Sequence, residues 1–531
     1  MWNGIFTFLL VLLIIGTMLI IIFDDGDSGK KIAWILTISI LPIIGLLLYF
    51  LLGINFRHLW LLRQKRKKFK KLFDTKANDK TKELLFGHKC DNKVRKDYRP
   101  YVQLLSQNLS TTVCDGNGLE IIVSGHRKFE LLMEDLKNAK HYIHMEYFYF
   151  KKDDGSMQIK QMLMQKAREG VKVRFIHENI ANIAIAPRYY NEMKKAGVQV
   201  EKFTKPHMPF INLITQLNYR DHRKIVIIDG NVGYTGGMNI SDDYFIRWRD
   251  THLRIKGNAV AGLQYSFLNT WITSGGKIDD DFGQYFPMCN ANSTYATKEM
   301  IVSKPETDVN NEIAETTQSA IAPETIGMSE TIANSSIQNV DIPLKLTDKN
   351  KLVQIVPDEP DTQWPIIQMG AVWAVQHAKK YIYIQTPYFV PPESMLLALK
   401  SAALSGIDVR IMVPKKADLF FMEPANKSFF DECLQAGIRI FERSGRFIHS
   451  KTFVSDDYLS EIGSANMDFR SFNLDYELNA YIFDEDTALI NKAIFFKDLE
   501  ACKEVTLQDW ESRPWRRKLL QRIIRLFAHL L

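Results

Sequence analysis

Two passages of this chain repeat one another at a fixed distance. The first runs through Asp221-His222-Arg223-Lys224, reaches Asp229-Gly230, and continues to Gly236-Gly237-Met238-Asn239. The second runs through Ile448-His449-Ser450-Lys451, reaches Asp456, and continues to Gly463-Ser464-Ala465-Asn466. Histidine, lysine, aspartate, glycine and asparagine all recur at an offset of 227, as 449 − 222 and 466 − 239 show. The same register pairs Asp250 with Glu477. Flanking runs echo as well: AKHYIHMEYF at 139–148 with AKKYIYIQTPYF at 378–389, and GVKVRF at 170–175 with GIDVRI at 406–411. A period this long exceeds a solenoid unit of roughly 20–50 residues, so it signals two domains of one fold in tandem. Around the motifs, helix-like stretches (129–138, 157–169) alternate with β-rich ones (141–148, 171–176), which argues for an α/β class with helices packed on a sheet.

The residue types suit phosphate chemistry. Alternate residues of a strand share a face, so His222 and Lys224 enter one pocket while Arg223 points away; His449 and Lys451 do the same. The glycine pairs permit a tight turn or close backbone approach. Asn239 and Asn466 then offer amide donors to phosphate oxygens. A lone HxK is commonplace, and a lone buried histidine is more often a core residue. Two copies in register, with matching glycines, asparagines and carboxylates, outweigh that reading.

The amino terminus carries two uncharged runs, Gly4–Phe23 and Ile32–Phe56, each long enough to cross a hydrocarbon core of roughly 30 Å as a helix. A cleaved signal peptide would need a basic start, a shorter apolar core and a small-residue cleavage site, none of which is present. Beyond the second run lie Arg57, Arg63, Lys65, Arg66, Lys67, Lys68, Lys70 and Lys71. Basic flanks stay cytoplasmic, so both ends of the expected hairpin and the catalytic body should face the cytoplasm, at the inner cell membrane. The same cluster either meets anionic headgroups or only sets topology. The net charge of +7 permits anionic partners without choosing one, and the five scattered cysteines form no metal or disulfide pattern.

These readings divide the chain into a hairpin (1–56), a basic segment and connector (57–115), a first α/β domain (116–288), an insertion (289–351), a second α/β domain (352–510) and a basic amphipathic helix (511–531). The insertion is rich in Asn, Ser, Thr, Glu and Ala and poor in aromatics, a composition expected to stay disordered.

The paired HxKxxxxD motifs, each followed by GGxN or GSxN, resemble the phospholipase D superfamily over about residues 120–500. Within it, the hairpin, the run YRDHRK at 219–224, TPYFVPPESM at 386–395 and GSANMDFRS at 463–471 resemble bacterial cardiolipin synthases. The resemblance implies two pseudo-symmetric α/β/α domains sharing one active site. It implies transfer of a phosphatidyl group between two phosphatidylglycerols, with anionic membrane lipids as partners, no metal and no cofactor. The motif residues His222, Lys224, Asp229, His449, Lys451 and Asp456 form the expected catalytic set. His222 is assigned as nucleophile and His449 as acid/base, a preference that comes from the resemblance. Asp250 and Glu477 are expected to orient the histidine of their own half. Asp229 and Asp456, seven residues past each histidine, point to the opposite strand face and are expected to be structural.

Alternative acceptors (phosphatidylethanolamine, another alcohol, water) enter the same chemistry. A nuclease is disfavoured because no aromatic-interleaved basic stripe accompanies the motifs. The apolar runs at 208–214 and 419–422 are read as core or as an acyl entrance, and 519–531 as an interfacial helix or one docked on its own protein.

Overall fold

The computed structural model describes residues 2–23, 28–52, 56–108, 111–203, 219–278, 282–287, 347 and 350–526. The apolar run at 208–214 and all of the insertion but residues 347, 350 and 351 lie outside these, and Lys351, expected in the insertion, opens β8. The first half supplies β1 (Cys114–Ile122), β2 (Tyr142–Tyr147), β3 (Lys172–His177), β4 (Gln199–Lys202), β5 (Lys224–Ile228), β6 (Val232–Gly236) and β7 (His252–Lys256). The second supplies β8 (Lys351–Asp358), β9 (Tyr381–Gln385), β10 (Phe389–Val390), β11 (Asp408–Pro414), β12 (Arg439–Arg443), β13 (Thr452–Ser455), β14 (Leu459–Gly463), β15 (Met467–Asp468), β16 (Glu477–Phe483) and β17 (Cys502–Val505).

All but β10 and β15 join one mixed sheet. Outward from its centre, one side runs β1, β7, β6, β5, β2, β3, β4 and the other β8, β16, β14, β13, β9, β11, β12, with β17 at the edge. Each half therefore lays down its strands in the same order. The motif strands β5 and β13 pair antiparallel with β2 and β9, and the antiparallel β1–β8 pair joins the halves. Local signals set the helix ends. Asp153 caps the helix Asp154–Arg168 by accepting from Ser156 N at 3.2 Å, and Asp484 caps Glu485–Leu499 from Thr487 N at 2.8 Å.

The core at the centre mixes residues of both halves, with Leu253 and Ile255 beside Ile462, Leu478 and Ala480. The segment expected as a connector is built into this body. The helix Phe56–Lys76 buries Leu62, Phe69 and Phe73, and Phe73 meets Tyr265 edge-on at 4.9 Å. Residues 99–105 pack Tyr101, Val102 and Leu105 into the second half's core.

Near the amino terminus, the helix Trp2–Ile22 is long and apolar enough to cross a membrane. The second apolar run, expected as one span, is divided into Ser28–Ile40 and Pro42–Leu52. Pro42 lacks the N–H that would continue the ladder. Gly45 then lies so close to Thr37 and Ile38 that a Cβ would sit 2.7 Å from backbone atoms of both.

Candidate active site

Neither histidine belongs to a regular strand of its own half. Each lies in a short parallel ladder made with the other half, Asp221 against Tyr476 and Ile448 against Arg249. His222 N donates to Tyr476 O at 2.9 Å, and Tyr476 N to Arg220 O at 2.8 Å. The copy is faithful: His449 N donates to Arg249 O at 2.7 Å, and Arg249 N to Phe447 O at 2.8 Å. Lys224 opens β5 and Lys451 immediately precedes β13.

This crossing overturns the expectation that each carboxylate serves its own histidine. Glu477 follows Tyr476 and so lies beside His222, with Oε1 2.9 Å from Nδ1. Asp250 follows Arg249 and lies beside His449, with Oδ2 2.7 Å from Nδ1. A carboxylate accepts, so Nδ1 of each imidazole carries the proton and Nε2 keeps its lone pair. Gly237 makes room for this: a Cβ there would collide with the Asp250 carboxylate. Its counterpart Ser464 instead donates its hydroxyl to Glu477.

Burial dominates the electrostatics. It drives both imidazoles well below their ordinary pKa, and the charges of Lys224 and Lys451 push the same way. It lowers Lys224 to about 8 and Lys451 to about 7, against the pull of Glu477 and Asp250. It raises Asp250 to about 6 and Glu477 to about 7, against the lysines. The resting site thus holds two neutral imidazoles between groups that titrate close to neutrality.

The two halves are not equivalent at the reacting nitrogens. Lys451 Nζ lies 2.9 Å from His449 Nδ1 and 3.0 Å from Nε2, over the ring, and donates to His449 O at 2.7 Å. Lys224 Nζ donates to His222 O and lies 5.4 Å from the Phe148 ring centre. Phe148 also meets the His222 ring edge-on at 4.9 Å, while Tyr244 and Trp248 lie 5.3 and 5.2 Å from the His449 ring.

Asn239 and Asn466 are both buried, yet they differ. Asn239 Oδ1 accepts from Tyr149 N at 3.2 Å and its amide donates to Tyr244 Oη at 2.8 Å, whereas Asn466 Oδ1 has no partner among the described residues. Asp229 and Asp456, included with the catalytic set as motif members, lie beyond the far ends of β5 and β13. Each adopts positive φ, 50° and 51°, and accepts backbone N–H groups of the neighbouring turn. Asp229 takes Lys140, His141 and Tyr142 at 2.8 Å; Asp456 takes Lys379, Lys380 and Tyr381 at 2.7–3.1 Å. They pin strand ends and do not reach the pocket.

Sequence reasoning missed the support beneath His222. Arg223 is fully buried, with Glu146 and Asp221 each at 2.9 Å, Glu359 at 3.1 Å, and Tyr476 under its guanidinium at 5.1 Å. Arg66, from the helix Phe56–Lys76, adds a second guanidinium against Glu359 (3.4 Å) and Asp361. Four carboxylates share two arginines, so burial holds Glu146 well above its usual range and Asp361 at about 6. The only sequence signal was an arginine on the core-facing side of a strand.

Fold and site together define a phospholipase D-like enzyme, and comparison with known families agrees. The family described as cardiolipin synthase, phospholipase D-like domain matches residues 132–271 and again 372–499. The phospholipase D-nuclease N-terminal family matches residues 11–53. A cardiolipin synthase of Geobacillus kaustophilus is 32% identical over 99% of this chain and 94% of its own length. The major cardiolipin synthase ClsA of Bacillus subtilis is 32% identical over 98% of both chains. Among solved structures, a phosphatidylserine synthase of Haemophilus influenzae shares the fold, with TM-score 0.54 and 13% identity over 82% of this chain and all of that one. The chain belongs to the cardiolipin synthase family of phospholipase D-like phosphatidyltransferases.

Proposed function

We propose that this enzyme condenses two phosphatidylglycerols into cardiolipin and glycerol, with its two halves acting as tandem domains that share one active site. The observation that carries the reading is the crossed pair: two imidazoles, each held at Nδ1 by the other half's carboxylate, with a lysine beside each. The first phosphodiester would lie between Lys224 and Lys451, whose charges offset its anionic oxygens and the growing charge of the transition state. His222 Nε2 attacks phosphorus, the bond to glycerol breaks, and His449 gives its proton to the departing oxygen. The hydroxyl of a second phosphatidylglycerol then loses its proton to His449 and attacks the phosphohistidine, which frees His222 and forms cardiolipin. His449 is neutral at rest; the incoming phosphate anion offsets the lysine charges that depress it and so favours its protonated form. The choice of nucleophile is supported by the Lys451 contact. Lys451 Nζ lies within 3.0 Å of both ring nitrogens of His449, whereas among the described contacts Lys224 touches neither ring nitrogen of His222 and reaches only its carbonyl oxygen.

The helix Trp2–Ile22 and the bent pair that follows would form the membrane hairpin, with the catalytic body on the cytoplasmic side. Glycerol-labelled phosphatidylglycerol tests the reaction. Release of labelled glycerol in step with cardiolipin is expected, whereas phosphatidate as the main product would make water the acceptor. Release of ethanolamine when phosphatidylethanolamine is added would reassign the second lipid.

A further inference from the structure

Among the described residues, the carboxyl-terminal helix Trp515–Leu526 is tied down along one face only. Gln521 is buried and accepts from Arg513 Nε at 3.0 Å. Arg525 donates to Ser428 O at 3.1 Å, pairs with Glu432 and covers the Phe429 ring at 4.4 Å. Ile524 packs half-buried against the second half's core. The other face presents Trp515, Leu519, Leu520, Ile523 and Leu526, exposed by 45–78%. Scattered exposed apolar residues are ordinary, but five on one face of a twelve-residue helix form a contiguous patch. Arg516, Arg517 and Arg522 flank it, all exposed.

A run of contacts links this patch to Asn466 in the site. The helix packs on the segment Met422–Lys427, and the turn before that segment carries Phe420, which is 91% exposed. In the same turn Asp418 accepts from Tyr388 Oη at 2.8 Å. Tyr388 leads into β10, which pairs with β15 directly after Asn466. Ile246 is 64% exposed, in the turn whose Tyr244 and Trp248 rings face His449.

We propose that the exposed face of helix Trp515–Leu526, together with Phe420, docks on an anionic lipid surface and seats the mouth of the active site against the bilayer. An apolar row edged by arginines is the pattern that lies in a membrane interface, with side chains among acyl chains and guanidinium groups at lipid phosphates. The apolar amino-terminal helix keeps the body close to a lipid surface, so the docking step is intramolecular and needs little intrinsic affinity. The proposal rests on the reading that the substrate is a membrane phospholipid, and it adds which face of the body meets that membrane.

The test uses the full chain reconstituted in nanodiscs containing phosphatidylglycerol, with brominated acyl chains as the quencher. Bromine should quench a component of tryptophan emission that is missing in Trp515→Phe, and replacing phosphatidylglycerol with neutral lipid should weaken it. The double variant Leu520→Ser/Ile523→Ser should lose roughly tenfold or more in turnover of bilayer phosphatidylglycerol yet stay within about twofold of wild type on a dispersed short-chain analogue. Equal quenching in wild type and Trp515→Phe overturns the proposal, because the face then meets water. Equal loss on both substrates also overturns it, because the residues then serve the fold. Cross-linked dimers through Leu520→Cys would hand the face to a second copy. If Trp515 is quenched but wild type transfers no phosphatidyl group, the docking stands and the proposed reaction falls.

Discussion

At His222 and His449 chemically identical rings have different neighbours, and the difference is testable. His222→Ala should remove the nucleophile and His449→Ala the proton donor, each costing on the order of 10³-fold or more in turnover. A substrate with an activated leaving group needs no donor. His449→Ala should then still trap a phosphohistidine, and His222→Ala should trap none; adduct on residue 449 in wild type would reverse the roles. The crossed carboxylates extend the test. Glu477→Gln should suppress adduct formation with that substrate, while Asp250→Asn should spare it, each lowering natural turnover by roughly 10²- to 10⁴-fold. The opposite pattern would mean that the contacts seen at Nδ1 do not govern the chemistry. The pH profile follows from the same groups. Lys451 and Lys224 lose their charge as pH rises through about 7 and 8, so kcat/KM should fall on that limb. Asp250 and Glu477 take up protons as pH falls through about 6 and 7, which releases the imidazoles and sets the acid limb. Bound phosphate stabilises the ammonium forms, so the alkaline limb of kcat should lie above that of kcat/KM. Coincident alkaline limbs would exclude the lysines as phosphate ligands.

Among the elements, the helix Phe56–Lys76 does most to connect the apolar amino-terminal helices with the site. Its basic residues divide by face. Lys65 donates to Thr273 O at 3.0 Å, Arg63 to Asp361 O at 3.1 Å, and Arg66 enters the carboxylate cluster under Arg223; Lys67, Lys68, Lys70 and Lys71 remain exposed. A cluster that could have been wholly a topology signal is therefore partly a structural brace. Arg66→Ala leaves Glu359 and Asp361 with less compensation and should cost about 1–3 kcal/mol in unfolding free energy, less than the ~3–5 kcal/mol for breaking a fully buried pair, because Asp361 can take up a proton. It should also lower kcat, since Arg223 is the residue next to His222. Arg66→Lys should recover the stability only in part, because it keeps the charge and loses the planar fork. Unchanged unfolding and turnover in Arg66→Ala would show that the helix merely rests on the body.

For the whole molecule, each half supplies the carboxylate that contacts the other's histidine, and both contribute to the central core, so either half expressed alone is expected to turn over no substrate. The insertion is a different matter. Replacing 292–346 with a short Gly/Ser linker should leave turnover within about twofold, since its composition offers little apolar surface for packing. Collapse of expression or turnover in that variant would show that it does more than connect. Topology is open to labelling from outside intact cells. An impermeant thiol reagent should reach a cysteine introduced at Ser28 and miss one introduced at Ser335. Labelling at Ser335 would put the catalytic body on the outer side.

What the chain alone determined was the chemistry and its duplication. The HxK spacing, the glycine turns and the offset of 227 are local covalent facts. A long uncharged helix at the amino terminus is equally local, because backbone hydrogen bonds close within it. The same motif spacing points Asp229 and Asp456 to the opposite strand face, and each accepts backbone N–H groups at a strand end. Pro42 is also local: without an N–H it interrupts the helical ladder of the second apolar run. Tertiary structure alone decided which carboxylate serves which histidine. The partners are 255 and 199 residues apart, and a symmetric pair of motifs satisfies the own-half and the crossed arrangement equally well until the strand ends are docked. It also decided that Arg223 and Arg66 share one buried cluster. Spacing specifies which residues share an element; only the packing of elements brings charges from remote ones together, and the energy of those contacts depends on a burial that no local pattern encodes.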